Sequence, residues 1–435
     1  MKKIISLVLS FAAIALVMCS CANNVKPIDT QTTKETTTHT TPSGNTEKGD
    51  LMADYVAQAV TERIVDEKFI DAMLDFSARL LKGTTEKEKK NILISPLSII
   101  TALSMTANGS EKETRAQFEQ VFGLTMDEMN EYLYSYVKNL MNGNGAKVKL
   151  ANSIWFGEDG RLKVNADFLQ TNKNYYDAQA YEKDFSDPKT VDEMNAWVSE
   201  HTDEMIKKIV DELSPECVMV LMNALVFDAL WADQYEDYSC RTKTFTTYDG
   251  KKQDVKMMHS TESLYLEADG VCGFEKPYLL GYKFVALLPD ENVDVFDYAR
   301  SLTGEKLKAV LASKQYAQVR ATTPAFEYDF DITLNGVLGA MGIEDAFSPS
   351  EANFSAMGEC DNNVFIGKVI HKTHIELTQA GTKAAAVTAV MMEATSVGPG
   401  YEQYKTVTLD RPFVYMIIDN ANELPLFMGV VTEIN

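Results

Sequence analysis

The groups able to do covalent or metal chemistry are few. His371 and His374, in "GKVIHKTHIEL", are the closest pair of histidines in a chain that has only five. Their spacing of three in an alternating context sends them to opposite faces of a strand. That suits neither a shared metal nor a shared catalytic centre. No G-x-S-x-G elbow, H-E-x-x-H helix or G-x-x-x-x-G-K-[ST] phosphate loop occurs. The residues therefore offer no catalytic group, no metal site and no cofactor, and the chain does not read as an enzyme. A different possibility lies in residues 381–396, "GTKAAAVTAVMMEATS". Period two sorts it into an uncharged set (Thr382, Ala384, Ala386, Thr388, Val390, Met392) and a set holding Lys383 and Glu393. As a strand it would turn small residues inward and its charges outward, and no turn signal pairs it with a preceding neighbour. It reads as a strand able to enter a sheet without starting there; an alanine-rich exposed helix fits the residues equally well.

These residues need a frame, and the pattern of elements is α+β with large sheets. "DEKFIDAMLDFSARLL" sets Phe69, Met73, Phe76 and Leu80 on one helical face. "NILISPLSIITALSMTANGS" predicts a short extended piece, a proline-initiated helix and a glycine stop. Further helices are predicted across "EKETRAQFEQVFG", "MDEMNEYLYSYVKNLMN" and "VDEMNAWVSEHTDEMIKKIV". Strands follow. Residues 217–227, "CVMVLMNALVF", are apolar almost throughout, as in a strand covered on both faces. "KTFTTYDGKKQDVKMM" has hairpin chemistry around Asp249-Gly250. "YKFVALLPD", "RPFVYMIID" and "PLFMGVV" read as buried strands. "PAFEYDFDI" alternates Phe326, Tyr328 and Phe330 against Glu327, Asp329 and Asp331.

The chain has 435 residues, 45% hydrophobic and 24% charged, enough for one large core or two modest ones. A formal charge of −22 argues against nucleic acid or anionic lipid as the main partner. At the N-terminus Lys2 and Lys3 precede an apolar run that ends in "MCSCANN", too short for a membrane span and laid out as an export signal. A cysteine at the cleavage point resembles a bacterial lipoprotein signal. Cys21, after small Ser20, fits better than Cys19, after Met18. Residues 1–21 are then a signal ending at a lipidated cysteine, which anchors an exported protein to the membrane at the cell envelope or surface. Each buried methylene contributes about 0.8 kcal/mol to such an anchor. An ordinary cleaved signal and a secreted protein is the alternative. Residues 22–54, rich in threonine, cannot offset their ordering entropy by burial and read as a tether of roughly 30 Å root-mean-square span. From residue 55 to the end no linker or repeat interrupts the pattern. Cys217, Cys240, Cys272 and Cys360 match no metal spacing and read as buried free thiols.

From about residue 65 onward the sequence resembles the serpin family. Residues 407–417, "VTLDRPFVYMI", followed by "PLFMGVV", resemble its C-terminal signature. "NILISPLSIITALSMTANGSEKETRAQ", "NALVFDALW", "DAFSPSEANFS" and "GKVIHKTHIE" resemble four more blocks in the family's order. The resemblance implies helices packed on large mixed β-sheets, with an exposed reactive-centre loop at about residues 381–405. It implies a monomeric suicide-substrate inhibitor of serine proteases. The protease cuts the loop, stays attached as an acyl-enzyme, and is dragged along and distorted as the loop becomes a new central strand. About twelve backbone hydrogen bonds at about 1 kcal/mol each would supply on the order of 10 kcal/mol. That rivals the whole stability of a domain, so the uncut form must be held by a kinetic barrier.

The resemblance also carries over onto individual residues. Gly381, Thr382, Ala384, Ala385, Ala386 and Thr388 match the small-residue hinge of inhibitory members. The acid usual two residues before the hinge glycine is Gln379 here, which touches the anchoring of the loop base. The usual hinge length puts the cut bond between Thr395 and Ser396, to within a residue or two. With no Lys or Arg from Ala384 to Tyr404, a trypsin-like pocket finds no partner. Ala394, Thr395 and Val397 suit elastase-like or subtilisin-like proteases. Ser95, Ser98, Asn223 and His371 match the polar cluster beneath the sheet, the shutter where strands part. Trp231 matches the tryptophan at the top of the sheet, the breach where insertion begins. A non-inhibitory member acting as a carrier or binding module is the alternative, and the hinge composition argues against it.

Overall fold

The computed structural model describes residues 49–141, 146–213, 217–268, 270–361, 363–382 and 404–434. The predicted signal, with Cys21, and the tether up to residue 48 lie outside these. Helices are α1 (Glu67–Lys87), α2 (Pro96–Ala107), α3 (Lys112–Phe122), α4 (Met126–Met141) and α5 (Ala166–Tyr176). They continue as α6 (Pro188–His201), α7 (Val295–Ser301), α8 (Gly304–Ala312) and α9 (Asn335–Met341). The first strands are β1 (Ile92–Ile94), β2 (Ala146–Gly157), β3 (Leu162–Val164), β4 (Gln179–Lys183), β5 (Met219–Leu230) and β6 (Cys240–Thr246). Next come β7 (Lys252–Ala268), β8 (Val271–Pro277), β9 (Tyr282–Pro289), β10 (Gln315–Pro324), β11 (Phe326–Thr333) and β12 (Gly358–Cys360). The last are β13 (Ile370–Leu377), β14 (Gly381–Thr382), β15 (Tyr404–Thr408), β16 (Phe413–Asp419) and β17 (Leu424–Val431).

Among the described residues these strands form a nine-stranded sheet, a six-stranded sheet and a two-stranded one. The large sheet runs β1-β17-β16-β9-β8-β7-β10-β15, with β6 beside β7. Its centre holds the apolar runs read as buried strands: every residue of β9, β16 and β17 is buried. The second sheet runs β11-β13-β14-β5-β2-β4 and mixes parallel with antiparallel neighbours. Here β11 alternates buried and exposed residues without exception, as its sequence predicts. Helices packed with large sheets give the expected α+β class, although β1–β4 interleave with the first helices and α7–α9 fall among the later strands.

Local chemistry fixes the element that matters most for the site. α2 starts where Ser95 caps it, its hydroxyl accepting from Ser98 N–H at 3.3 Å, and where Pro96 presets the first turn. The predicted hairpin turns at Gly250, whose φ of +81° suits glycine.

Several expectations need correction. α6 ends at His201 rather than running to Val210, because Asp203 and Glu204 take left-handed φ of +50° and +61°, which a helix cannot continue through. The folded body is under way before residue 55: Leu51 N–H donates to Ala180 O at 2.8 Å, Glu182 N–H to Gly49 O at 2.7 Å, and Met52 is buried. Cys217, Cys240, Cys272 and Cys360 are free thiols but only half-buried. Among the described residues no helix is long and apolar enough to cross a membrane, and no cluster of metal-ligating side chains occurs.

Candidate functional site

The hinge of the predicted loop is already part of a sheet. In β14, Thr382 lies opposite Leu377 of β13 on one side and Ala229 of β5 on the other, and Gly381 lies opposite Leu230. The chain reverses from β13 in a tight turn, where Thr378 N–H and its hydroxyl both donate to Gly381 O, at 2.8 and 3.1 Å. Glycine is required at 381, since a Cβ there would stand 2.0 Å from Ala229 O. Thr382 is 3% exposed and shares a 2.5 Å hydrogen bond with the Tyr278 hydroxyl. The loop expected at about 381–405 is therefore shorter at both ends, because Gly381 and Thr382 belong to β14, and Tyr404 and Lys405 to β15. Thr382 does not wait for insertion to become buried. Among the described residues, only Gly381 and Thr382 pair with the facing edges of β13 and β5.

An aromatic box backs this hinge. Trp231, as the resemblance implies, sits at its top: its backbone N–H donates to Ala380 O and its indole N–H to Thr378 O, both at 2.9 Å. Its ring stacks on Tyr278 with centroids 4.3 Å apart and planes 11° off parallel. Behind it the buried Lys276 ammonium lies 4.3 Å from the Tyr235 ring centroid and 5.4 Å from that of Trp231. Lys276 pairs with buried Glu262 at 3.0 Å and donates to Asp233 O at 2.9 Å, so neither charge is left uncompensated. Burial drives the Tyr278 hydroxyl well above its usual range, which keeps it neutral and able to bond Thr382. Sequence reading missed Tyr278 and Lys276, which stand in "EKPYLLGYK" with no local signal.

Gln379 also makes contacts no carboxylate could reproduce. Its amide N–H group donates to Tyr235 O at 3.3 Å and to Asp237 Oδ1 at 3.0 Å, while its oxygen accepts from the Lys256 ammonium. A neutral side chain thus bridges two opposite charges.

Farther down the same sheet, the four residues expected to cluster do so. Ser95 N–H donates to His371 Nε2 at 3.1 Å, and Ser95 caps Ser98. The Ser98 hydroxyl donates to Asn223 Oδ1. Asn223 passes the chain to Asn152 Oδ1 at 2.5 Å, and Asn152 donates to Tyr176 O at 2.9 Å. One hydrogen-bonded line thus ties α2 to β13, β5, β2 and the end of α5. Because Nε2 of His371 accepts, the ring is neutral, and burial lowers its pKa to about 3. His374 faces the other way and meets Asp329 at 2.8 Å, so the two histidines share no site. Asn152 and Tyr176 were not foreseen. Ala384, Ala385, Ala386, Thr388, Thr395 and Ser396 lie outside the described residues.

Comparison with known proteins places this arrangement. A family model described as Serpin (serine protease inhibitor) matches residues 71–434. An uncharacterized serpin-like protein of Thermococcus kodakarensis is 30% identical over 84% of this chain and 85% of its own length. Among solved structures, the thermophilic serpin tengpin is 42% identical in its native state, with a TM-score of 0.83 over 89% of this chain and 99% of that one. Human thyroxine-binding globulin in complex with thyroxine is 25% identical, with a TM-score of 0.76 over 85% of this chain and 99% of that one.

Proposed function

The chain belongs to the serpin family, whose members are in general protease inhibitors, and we propose that it traps serine proteases as a suicide substrate. The observation that carries this reading is the register of β14. Continued without a bulge from the pairs Thr382–Leu377 and Thr382–Ala229, a longer strand would bring Ala384 level with Ile375 and Phe227. Ala386 would then fall level with Thr373 and Leu225, and Thr388 with His371 and Asn223. Ile375, Phe227, Thr373 and Leu225 are buried, so small side chains at 384 and 386 would enter with the least repacking, and at 388 the threonine hydroxyl would arrive beside the polar line. Small residues at 384 and 386, with a hydroxyl two further on, are what an inserting strand needs here.

Cleavage near Thr395–Ser396 would free the segment to extend β14, carrying the acyl-enzyme with it before water can release the protease. The uncharged residues around that bond favour elastase-like or subtilisin-like targets. Trp231 and Tyr278 seat the first pair, and Ser95, Ser98, Asn223 and His371 control passage of the rest. Export and lipidation at Cys21, with residues 22–48 as spacer, would hold the inhibitor at a cell envelope or surface. The carrier reading draws its interest from thyroxine-binding globulin, a protein of this fold solved in complex with a small molecule. One experiment separates the two. Incubation with an elastase and a subtilisin should yield a denaturation-resistant complex, with the cut mapped by mass spectrometry to residues 394–397. Clean cleavage by both proteases without any such complex would overturn the inhibitor reading.

A further inference from the structure

The sheet face beside the C-terminal foot of the loop has the make-up of a docking surface. β15 begins at Tyr404 and lies at the edge of the large sheet, parallel to β10. Register puts Thr406 beside Arg320 and Thr261 on the other side of it, so three neighbouring strands present one exposed strip. The Arg320 guanidinium stacks on the Tyr404 ring, 4.4 Å from its centroid. A groove of about 600 Å³ opens between this strip and the segment 233–239, with Lys243 and Arg320 on the sheet side and Tyr238 on the rim. Tyr404 is 56% exposed and Tyr238 76%. Neither Lys243 nor Arg320 has a carboxylate within ion-pair distance among the described residues, although Asp233 and Glu236 line the facing wall. Exposed tyrosines and an arginine held flat are what protein interfaces use as anchors, because little entropy is lost on contact. Two cations without an ion pair on the sheet side of this groove, in a chain of net charge −22, can each take a carboxylate from outside.

We infer that this strip is a second contact for the protease docked at the reactive bond, and that it favours targets with an acidic rim to the active-site cleft. The inference rests on the inhibitor reading above. Position supports it: Ser396 and Tyr404 are eight residues apart, so the cut bond stands no more than about 27 Å along the chain from the strip. A protease held there cannot be far from Arg320. Charge pairs at such a rim act chiefly on the rate of encounter and lose their effect in salt.

The test compares two elastase-like proteases of opposite net charge, using the intact protein and Arg320→Glu/Lys243→Glu. Both substituted side chains are exposed, so the fold should be kept, and Arg320→Ala/Lys243→Ala serves as a milder second variant. For the acidic protease, the association rate should fall about tenfold in the reversal variant and less in the alanine one. The salt dependence of wild type should disappear, while the stoichiometry of trapping stays the same. The basic protease should be unaffected or faster. Equal rates for wild type and both variants, in a protein that still forms covalent complex, would overturn the docking surface alone. A rate effect seen only when a polysulfate is added would assign the strip to a polyanion and also overturn it. Absence of covalent complex with either protease would sink the inhibitor reading and this inference with it.

Discussion

The two ends of the β13–β5 seam are built from different materials. At the hinge, Gly381 and Thr382 are clasped by stacked Trp231 and Tyr278, with the Lys276–Glu262 pair buried behind them. Lower down, Ser95, Ser98, His371, Asn223 and Asn152 are joined by hydrogen bonds between small polar groups. Prising apart the first region means exposing large rings and two charges, so it is a fixed seat. The second can exchange one hydrogen-bond partner for another at a net cost of about 1 kcal/mol each. A strand begun at the hinge thus has a rigid start and a negotiable middle. On the proposed mechanism the division would fix the first register and leave rate to be set farther along.

The largest expected effect comes from breaking the path just beyond the seat. Thr382 is a poor probe, since a charge there would strain the resting structure through Tyr278 as well. Ala384 is the better one. An arginine at 384 would have to pass between Phe227 and Ile375 with no partner, at a cost of several kcal/mol in practice. Ala384→Arg should be cut at the same bond at a similar rate but leave less than about a tenth of the covalent complex, since each 1.4 kcal/mol is tenfold. Lys383→Ala, which period two would put on the other face, should trap almost normally. Gel quantitation of complex against cleaved inhibitor decides, and wild-type trapping by Ala384→Arg would refute the register.

The polar middle should answer to acid through His371. His371 is neutral when folded, with a pKa of about 3 against about 6.5 unfolded. The unfolded chain therefore takes the proton more readily. The stability this brings is complete above about pH 6.5 and is lost progressively as pH falls toward about 3. Protonation would also set N–H against N–H at Ser95. Melting temperature followed from pH 7 to pH 4 should fall more steeply in wild type than in His371→Gln, whose amide does not titrate. Parallel curves would mean that His371 is not the group responsible.

A smaller loss is expected on cutting the line at one link. Asn223→Ala leaves the Ser98 hydroxyl and Asn152 each short of a partner, which should cost about 1–3 kcal/mol by denaturant unfolding. Ser98→Ala together with Asn223→Ala should cost less than the sum of the two single changes, because they share one bond. Strict additivity would show that the line is not a connected unit.

How much of this could be read from residue order follows from the same contrast. Strands such as β11 and β16 announce themselves because burial repeats every two residues or fills a whole run. Trp231, Ser98 and His371 were legible through family blocks, which store long-range contacts in local spelling. Asn152 was not: its partner lies 71 residues away, and "LANSIWF" looks the same whether that asparagine meets water or Asn223. Tyr278 was hidden for the same reason. The end of α6 was misjudged because Asp203 and Glu204 are ordinary helix-surface residues whose left-handed φ is imposed by tertiary context. The early pairing of Thr382 is likewise a decision of the sheet, since period two shows which face a residue takes but not when its strand begins to pair.

The smallest predicted effect concerns Gln379, where this chain departs from the acid usual in its family. The amide donates to Tyr235 O and Asp237 Oδ1 and accepts from Lys256. Gln379→Glu keeps only the last of these and adds charge to it. The other two donors vanish, and the new carboxylate faces that of Asp237. Gln379, Asp237 and Lys256 are at or near the surface, where an ion pair contributes no more than about 1 kcal/mol. The gain at Lys256 should therefore fall just short of the loss at Asp237. Melting temperature should drop by a degree or two at low salt, and added salt should shrink the difference by screening the two carboxylates. Adding Asp237→Asn removes the repulsion, so the double variant should recover or exceed wild type. A higher melting temperature for Gln379→Glu alone would mean that the charge is the better anchor after all. The bridge to Asp237 would then be incidental to how the hinge is held.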